Sequence, residues 1–404
     1  MSELKNCRIC SSADLEPVIN LGNQPWCNDF LKEEEIGREL FYPLNVLFCN
    51  DCATSQLDFT VKKEIMFGDH TYLSGITRSL SHHFSEVANN VNKKFKSSSN
   101  KSVLDIGSND GTQLKHFYNL GWDVLGVESS TKISKMANQN GIKTINKFFN
   151  LSTMRDLNKK FDVINAAGVF FHLEELHSVT EAIKYGLKKN GIFVVQFLYM
   201  KSIIENNAFD QIYHEHLLYY TLKTISVLLD QYDLEMYDAY LAPIHGGQMV
   251  GYVCHKGKKE KTKRFQLLLN EEDISGCNNI ATYRNFFKRI KKMKSDNINF
   301  LEKSKKIGKR IYGMGAPVKG NTLLNYFGIG TNYLDCLLEK NQLREGLYSP
   351  GMHIPILIES KKTLIADVYY VLAWNFKNEI LKNNRHLLEK GVEFYFPVNP
   401  KLSA

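Results

Sequence analysis

The stretch KSVLDIGSNDGTQLKHFYNLGWDVLGVE, residues 101–128, decides the fold of this chain. An apolar run that ends at Ile106 meets a turn containing Gly107 and Gly111, and an amphipathic segment leads to a second apolar run that closes on Glu128. This order predicts a βαβ unit. In such a unit a ligand lies beyond the carboxyl ends of the strands, and an acidic residue at the tip of the second strand can accept both ribose hydroxyls. The stretch therefore predicts an adenosine pocket.

The turn favours S-adenosylmethionine over a dinucleotide. It reads D-I-G-S-N-D-G rather than G-x-G-x-x-G, and Asp105 and Asp110 flank it. A pyrophosphate would meet negative charge here, whereas the sulfonium and ammonium groups of S-adenosylmethionine would be attracted. The alternative for Glu128 is a solvated strand end. The predicted cofactor contacts are Asp105, Gly107, Ser108, Asn109, Gly111 and Glu128.

Length and composition point to a soluble, cytoplasmic protein of two or three domains. The chain has 404 residues and a formal net charge of +8, with a dense basic run, KGKKEKTKR, at 256–264. We interpret this run as a solvated loop or helix end; a phosphate-binding patch is the alternative. The first residues, MSELKNCRIC, lack the apolar core of a signal peptide, and no apolar run is long enough to span a bilayer. The cytoplasm is reducing, so the eight cysteines are not expected to form a disulfide framework.

Four cysteines form two C-x-x-C knuckles, Cys7 with Cys10 and Cys49 with Cys52. Two such pairs supply the tetrahedral thiolate set that zinc prefers. Four thiolates leave no open coordination position, so the predicted zinc is structural. Cys27 lies between the pairs without a partner and is interpreted as a small buried hydrophobe.

Strand and helix patterns alternate after Glu128, as in a parallel, doubly wound α/β sheet. The predicted helices cover 130–140, a segment ending at Leu157, and 173–188; the predicted strands cover 143–145, 161–166 and 192–197. Asn190-Gly191 is typical of a helix stop. His172 directly follows a strand, so we expect it at the carboxyl edge, facing the ligand crevice. The alternative is that it caps the next helix.

A polar cluster, Q-I-Y-H-E-H at 211–216, is the most informative group of side chains. Metal-binding histidines on a helix usually stand at i and i+4, whereas His214 and His216 are two apart and would share a face only on a strand or turn. An imidazole oriented by a carboxylate, beside a phenol that donates to a developing oxyanion, suits general acid–base chemistry. The cluster therefore predicts a catalytic centre.

A second nucleotide-binding pattern lies in the last third of the chain. A strand, a turn with three glycines and a helix occupy residues 310–326, and the next strand ends at Glu339. This resembles half of a Rossmann fold, and the turn by itself also suggests NAD. The position of Lys319 in the turn predicts contact with a diphosphate; a structural role is the alternative.

Together the motifs resemble a family of sugar C-methyltransferases that act on nucleotide-linked keto-deoxysugars. The resemblance runs in order along the whole chain; it is highly specific for the family and much less so for the sugar. The motifs are the paired C-x-x-C knuckles with L-G-N-Q-P (21–25), I-G-S-N-D-G-T (106–112), Y-H-E-H (213–216), I-H-G-G (244–247), G-A-P-V-K-G-N-T-L-L-N (315–325), P-G-x-H-I-P (350–355) and A-W-N-F (373–376).

The resemblance implies three domains. They are a zinc-binding domain at 1–72, a class I methyltransferase domain that binds S-adenosylmethionine at 73–236, and a Rossmann-like substrate domain at 237–404, which in that family binds no dinucleotide. The implied reaction removes the proton next to the keto group of a nucleotide-linked 4-keto-6-deoxyhexose and transfers methyl to that carbon, C-3, with inversion at the methyl. The product would serve deoxysugar biosynthesis for antibiotics or surface polysaccharides.

Site residues follow from the motif positions. The resemblance and the acid–base argument assign His216 as the base, Tyr213 as the group that polarises the keto oxygen and Glu215 as the residue that orients the pair. His172 and Tyr72 match further active-site positions, and His172 and His214 are the alternative bases. Substrate contacts are expected from His245, Gly246, Lys319 and Asn321.

The chain departs from the family pattern at two places. Ala166-Ala167-Gly168 replaces an asparagine-rich turn, which bears on the cofactor contacts, and Leu338-Glu339-Lys340-Asn341 replaces a common aspartate–arginine pair in the substrate domain. Neither departure touches the Y-H-E-H motif.

Two rival functions stay open. A nucleic-acid methyltransferase would account for the knuckles and the positive charge, but the chain lacks an N-P-P-[YF] motif and the knuckles lack interleaved aromatics. An O-methyltransferase acting on a sugar nucleotide or another small molecule would also need a base, so the polar cluster could serve it. We expect no nucleic-acid or membrane partner, and a monomer or a weak homodimer.

Overall fold

A computed structural model describes residues 2–67, 73–76, 78–95, 100–244, 246–360, 365–399 and 401–403. Tyr72 and His245, two of the predicted site residues, lie outside these ranges. Among the described helices, none combines the length and apolar character that a bilayer crossing requires.

The N-terminal part is built on an antiparallel sheet. Its elements are β1 (Ser2–Glu3), β2 (Leu15–Pro25), β3 (Phe41–Cys49), β4 (Ser55–Leu57), β5 (Phe59–Thr60), α1 (Lys63–Phe67) and α2 (Arg78–Lys94). Strands β2, β3 and β4 pair in that order, and β1 pairs with β5. Along β3 every second side chain, including Leu44 and Val46, is fully buried, because one face of the strand packs against the core.

The central part is a seven-stranded sheet with helices on both faces. Its elements are β6 (Ser102–Ile106), α3 (Thr112–Asn119), β7 (Asp123–Glu128), α4 (Thr131–Gln139), β8 (Thr144–Asn146), α5 (Leu151–Leu157), β9 (Phe161–Ala167), α6 (Leu176–Gly186), β10 (Leu187–Leu198), α7 (Met200–Glu205), β11 (Leu218–Tyr219), α8 (Leu222–Asp230), β12 (Leu234–Ala242) and β13 (Gln248–His255). The strand order is β12-β13-β10-β9-β6-β7-β8, and β13 is antiparallel to both neighbours. The remaining pairs are parallel. This is the predicted α/β methyltransferase sheet, and β6 is buried throughout because helices cover both faces.

One predicted boundary is wrong. Helix α6 ends at Gly186 rather than near Lys188, and Asn190-Gly191 lies inside β10 instead of stopping a helix. A Cβ on Gly191 would come within 3.0 Å of the Phe161 carbonyl oxygen, so the glycine permits a close backbone approach between neighbouring strands. The pair Asn-Gly is typical both of a helix end and of an irregularity in a strand, so the residue types did not distinguish the two.

The hairpin β12–β13 belongs to the central sheet, so this sheet continues to His255, beyond the sequence-based division at residue 236. Ile244, Gly246 and Gly247 of the I-H-G-G motif lie in the loop of that hairpin. The basic run at 256–264 follows as a largely exposed turn that enters the next helix, which agrees with a solvated segment.

The C-terminal part is a second parallel sheet. Its elements are α9 (Lys263–Ser275), α10 (Ile280–Lys306), β14 (Ile311–Met314), α11 (Val318–Phe327), β15 (Leu337–Glu339), β16 (Ile356–Ile358), β17 (Val368–Val371), α12 (Lys377–Asn383), α13 (Arg385–Leu388), β18 (Glu393–Phe396) and β19 (Lys401–Ser403). The order is β16-β15-β14-β17-β18-β19, with only β19 antiparallel to its described neighbour. This topology is Rossmann-like, as predicted.

Candidate functional site

The glycine turn after β6 forms one wall of a cleft at the carboxyl edge of the central sheet. Gly107 and Gly111 have φ angles of +63° and +80°, and Asn109 between them has a φ of +50°. A Cβ on Gly107 would lie 2.6 Å from a methyl carbon of Val169, so only glycine fits. The turn therefore keeps the backbone close to whatever occupies the cleft.

Glu128, at the tip of β7, is buried rather than solvated. One carboxylate oxygen accepts from the backbone N–H of Asn109 at 3.0 Å, and the other accepts from that of Ser130 at 2.8 Å. The side-chain oxygen of Asn109 accepts from the N–H groups of Ser74 and Asp110. These hydrogen bonds join the glycine turn to the tip of β7. The alternative interpretation of Glu128 as a solvated strand end is therefore wrong.

A chain of buried amides reaches Asp105, at the floor of the cleft. Gln113 donates to Asn165 at 3.3 Å, and Asn165 donates to the Asp105 carboxyl at 2.6 Å. Burial raises the pKa of Asp105 to about 7, although the bond from Asn165 opposes the shift. A cation in the cleft would favour the ionised carboxylate.

The residues around this cleft fit S-adenosylmethionine. The cleft is lined by Ser74, Phe84, Asp105, Gly107, Ser108, Asn109, Gln113 and Ala167. The Ser108 hydroxyl is buried without a hydrogen-bond partner in the described part of the chain, and such a group normally meets a ligand or water. The Ser108 hydroxyl, the Asp105 carboxyl and the Glu128 carboxylate at the tip of β7 together suit a cationic adenosine derivative.

Two histidine rings meet at the same edge, 5.1 Å apart between centroids. His172 shares its Nδ1 hydrogen with the backbone carbonyl of Glu215 at 2.5 Å, and His216 does so with that of Gln211 at 2.7 Å. A carbonyl only accepts, so both rings carry hydrogen on Nδ1 and, when neutral, present Nε2 as the basic atom. Helix α6 begins at Leu176 with Glu175 at its cap, so the helix-cap alternative for His172 is wrong.

Tyr213 lies against this pair. Its ring centroid is 3.8 Å from that of His216. Burial, with the nearby Glu215 carboxylate, raises the pKa of the Tyr213 phenol well above its ordinary value. The phenol consequently keeps its proton and remains a hydrogen-bond donor.

His214 and Glu215 face the N-terminal part. The Nε2 of His214 lies 3.3 Å and 3.2 Å from the carbonyl oxygens of Tyr42 and Pro43, and burial lowers its pKa to about 4. The Glu215 carboxylate accepts from the indole N–H of Trp26 at 2.8 Å. Residues 212–217 form a turn, yet His214 and His216 do not share a face, because His214 contacts Tyr42 and Pro43 while the His216 ring lies against that of His172.

Strand pairing fixes this turn between two domains. β11 directly follows the Y-H-E-H motif and joins the N-terminal sheet by pairing with β4, Leu218 opposite Gln56 and Tyr219 opposite Ser55. The N-terminal domain thereby forms one wall of the candidate catalytic centre.

Three of the four predicted substrate residues, Gly246, Lys319 and Asn321, lie in the described part of the chain. Gly246 is close to Gln211, whose amide nitrogen would lie 3.8 Å from a Cβ at Gly246. Asn321 donates to the backbone carbonyl of Cys27 at 2.7 Å and so joins α11 to the N-terminal domain. Lys319 lies 3.4 Å from the Asp210 carboxylate.

Sequence reasoning missed several polar residues of the site. Trp26 directly follows L-G-N-Q-P, and Asp210 directly precedes the Q-I-Y-H-E-H cluster, so position beside a motif was the available signal. Asn165 and Gln113 gave no signal, because single amides in a strand and a helix are common.

The four knuckle cysteines converge. Their sulfur atoms all lie within 4.8 Å of one another, with 3.6 Å between Cys7 and Cys52 and 3.5 Å between Cys10 and Cys49. Tetrahedral zinc–sulfur bonds of about 2.3 Å give sulfur–sulfur distances of about 3.8 Å, so the donor set fits zinc. Within the described ranges this is the only group of three or more histidines, cysteines or acidic residues arranged to hold a metal.

Three family models match the chain in order. They are described as a zinc binding domain at residues 7–67, a methyltransferase domain at 79–239 and a C-methyltransferase C-terminal domain at 243–399. These descriptions agree with the fold, the zinc-binding cysteines and the use of S-adenosylmethionine predicted from the sequence.

A curated relative matches over nearly its whole length. The C-methyltransferase NovU of Streptomyces niveus is 27% identical over 401 residues, which cover 98% of this chain and 96% of the relative. Among solved structures, an S-adenosylmethionine-dependent methyltransferase from Clostridium acetobutylicum is 14% identical over 48% of this chain and 96% of its own, with a TM-score of 0.37. The ordered domain matches and the full-length relative make this chain a member of the S-adenosylmethionine-dependent C-methyltransferases that carry an N-terminal zinc-binding domain.

Proposed function

We propose that the enzyme methylates a ring carbon, C-3, next to the keto group of a nucleotide-linked 4-keto-6-deoxyhexose in deoxysugar biosynthesis. The observation that carries the proposal is the pair of histidines, His172 and His216, each fixed through Nδ1 to a backbone carbonyl beside the Tyr213 phenol. A carbon acid beside a ketone is weak, so its reaction needs both a base and a donor to the enolate oxygen. This arrangement supplies both.

His216 is the proposed base. Its Nδ1 hydrogen is held by the Gln211 carbonyl, so Nε2 is the atom that accepts the substrate proton. The ring is almost fully buried. His172, with the same tautomer, is the alternative acceptor.

Tyr213 is proposed to donate to the keto oxygen as negative charge develops there. Its raised pKa keeps the proton on the phenol in the ground state. Glu215, held by the Trp26 indole, sets the position of the Tyr213–His216 turn rather than acting on substrate. S-adenosylmethionine, when bound, supplies the electrophilic methyl group.

The deciding experiment incubates the enzyme with S-adenosylmethionine and a panel of nucleotide-linked 4-keto-6-deoxy sugars, with products followed by mass spectrometry and proton NMR. We expect a methyl singlet on carbon and loss of the neighbouring ring proton. In deuterium oxide without the cofactor, the same ring proton should exchange for deuterium, because base and donor act before methyl transfer. A methyl on oxygen, with no exchange, would reject the proposal in favour of an O-methyltransferase.

A further inference from the structure

A buried ion pair joins the C-terminal domain to the catalytic turn. The ammonium of Lys319, in the first turn of α11, lies 3.4 Å from a carboxylate oxygen of Asp210 and 4.2 Å from the ring centroid of Trp374. The Trp374 indole N–H donates to that same oxygen at 2.6 Å. The Asp210 side chain is fully buried, and the Lys319 side chain is 14% exposed.

Two polar atoms of this pair are left without hydrogen bonds. The Lys319 ammonium and the second carboxylate oxygen of Asp210, Oδ1, have no hydrogen-bond partner among the described residues. A buried polar atom without a hydrogen bond is destabilising, and more so when the group is charged. Burial also lowers the pKa of Lys319, because a desolvated ammonium is less stable than a solvated one. Such atoms normally meet a ligand or ordered water.

The chemistry of the pair selects the kind of ligand group. A diphosphate would approach a lysine whose charge Asp210 already balances, and it would face that carboxylate at close range in a poorly solvated site. A hydroxyl has both a lone pair for the ammonium and a hydrogen for the free carboxylate oxygen. We propose that Lys319 and Asp210 together bind one hydroxyl group of the substrate sugar, rather than its diphosphate.

The pair is placed to hold the sugar near the base. Asp210 precedes Gln211, whose carbonyl fixes His216. The neighbouring Phe209 packs its ring 5.2 Å from that of Phe327 on α11, so this turn and the Lys319 helix form one packed unit. The inference rests on the proposed function and narrows it, because the substrate must carry a hydroxyl within reach of this pair. Lys319 and Asp210 become specificity-determining residues.

Equilibrium binding of the free nucleotide tests the diphosphate alternative. We would measure binding of dTDP and GDP by calorimetry to wild type, Lys319→Met and, as a control for charge, Lys340→Met, whose side chain is 81% exposed in the same domain. If the pair binds a hydroxyl of the sugar, all three proteins bind each nucleotide with affinities within ~2-fold. A loss of ~10-fold or more confined to Lys319→Met overturns the inference in favour of the diphosphate.

Turnover of matched sugars tests the hydroxyl directly. For a methylated panel sugar, kcat/KM is compared with that of analogues that each lack one hydroxyl, in wild type, Lys319→Met and Asp210→Asn. In wild type, removal of one particular hydroxyl should lower kcat/KM by ~10–100-fold relative to the parent sugar. In each variant, kcat/KM for the parent sugar should already be reduced by a similar factor. Removal of the same hydroxyl should then lower kcat/KM of the variant little further. The deciding quantity is the ratio of kcat/KM for the parent sugar to that for the analogue within each protein, and partial unfolding of a variant cancels in that ratio.

Equal losses on every sugar in both variants would show a merely structural ion pair and reject the inference. Absence of both binding and turnover of every panel sugar by wild type would reject the proposed function first, and the hydroxyl assignment with it. The two failures are distinguishable, because the first occurs in an active enzyme and the second in an inactive wild type.

Discussion

Hydrogen-bond partners separate the roles of the three histidines at the centre. His172 and His216 each donate from Nδ1 to a backbone carbonyl, which leaves Nε2 as the basic atom, whereas His214 is turned towards Tyr42 and Pro43. The hydrogen bonds of His172 and His216 thus suit the proposed acid–base chemistry, whereas those of His214 contribute to packing between domains. The proposed base and the structural histidine are only two residues apart.

Replacing the proposed base tests the first of these roles. We expect His216→Gln to lower kcat by ~10²–10⁴-fold while S-adenosylmethionine affinity stays unchanged, because proton transfer is lost and the cofactor cleft is not touched. Single-turnover kinetics and calorimetry with the cofactor measure the two effects. The control is His82→Gln, at a side chain that is 77% exposed on α2. Unchanged methylation by His216→Gln would assign the base to another residue.

The pH dependence of stability tests the role of His214. Burial lowers its folded pKa from 6.5 to about 4, so between these values the unfolded chain binds a proton that the folded chain does not. This contribution to stability is therefore intact above about pH 6.5 and is lost as the pH falls towards 4. The His214→Gln variant should lack it and retain about 2 kcal/mol more of its neutral-pH stability near pH 4.5 than wild type does.

Urea unfolding of wild type and His214→Gln at pH 7 and 4.5 gives this difference. The amide of glutamine can still donate to the Tyr42 and Pro43 carbonyls, so the comparison isolates the titration. Parallel loss of stability in both proteins would mean that other groups carry the acid sensitivity.

At the scale of elements, the cofactor cleft depends on one tight connection, the turn from β6 to α3. Its backbone takes positive φ angles at three positions, and Glu128 at the end of β7 accepts from it. The β6–α3–β7 unit is local in sequence, which explains why its pattern could be recognised directly. The Y-H-E-H turn is different, because β11 attaches it to a strand far away in the sequence.

Two glycine substitutions separate strain from steric conflict. Gly107→Ala places a Cβ 2.6 Å from a Val169 methyl, whereas Gly121→Ala, at a φ of +80°, meets nothing within 4 Å. Both should cost about 1–2 kcal/mol of stability through the positive φ angle. We expect only Gly107→Ala to weaken S-adenosylmethionine binding, by at least ~10-fold, as measured by calorimetry. Equal affinities in both variants would show that the turn does not contact the cofactor.

At the scale of the whole molecule, the three domains meet at the candidate catalytic centre. The N-terminal domain contributes Trp26 to Glu215 and the Tyr42 and Pro43 carbonyls to His214, while α11 contributes Lys319. Cys49 ends β3 and Cys52 lies in the turn before β4, and β4 pairs with β11 beside the candidate catalytic turn. A metal that does no chemistry can therefore support activity.

Removal of zinc should destabilise the N-terminal domain and lower activity. Cys49→Ser is expected to reduce bound zinc well below one ion per chain, lower the melting temperature and reduce methylation, since the metal contributes folding free energy. Metal analysis of the purified protein measures the first effect. Cys27→Ser should retain the metal, because Cys27 is not part of the sulfur cluster. Full metal content in Cys49→Ser would place the zinc elsewhere.

The sequence determined the local features of this protein. Its alternating strands and helices, the glycine turn at Gly107 and the acidic strand tip at Glu128 follow from short-range patterns, and the paired C-x-x-C knuckles are recognisable by spacing and residue type. These predictions of fold, cofactor and zinc are confirmed. The misplaced helix end at Asn190-Gly191 arose because a helix stop and a close strand approach both favour glycine.

Only the tertiary structure decided which side chains act together. Spacing could not show that His214 turns to Tyr42 while His216 meets His172, because that depends on a turn held by pairing between β11 and β4. Nor could it place Asp210 against Lys319, 109 residues later in the chain. Contacts between distant segments are set by how the domains pack, and the protonation state and partners of each polar group depend on that packing.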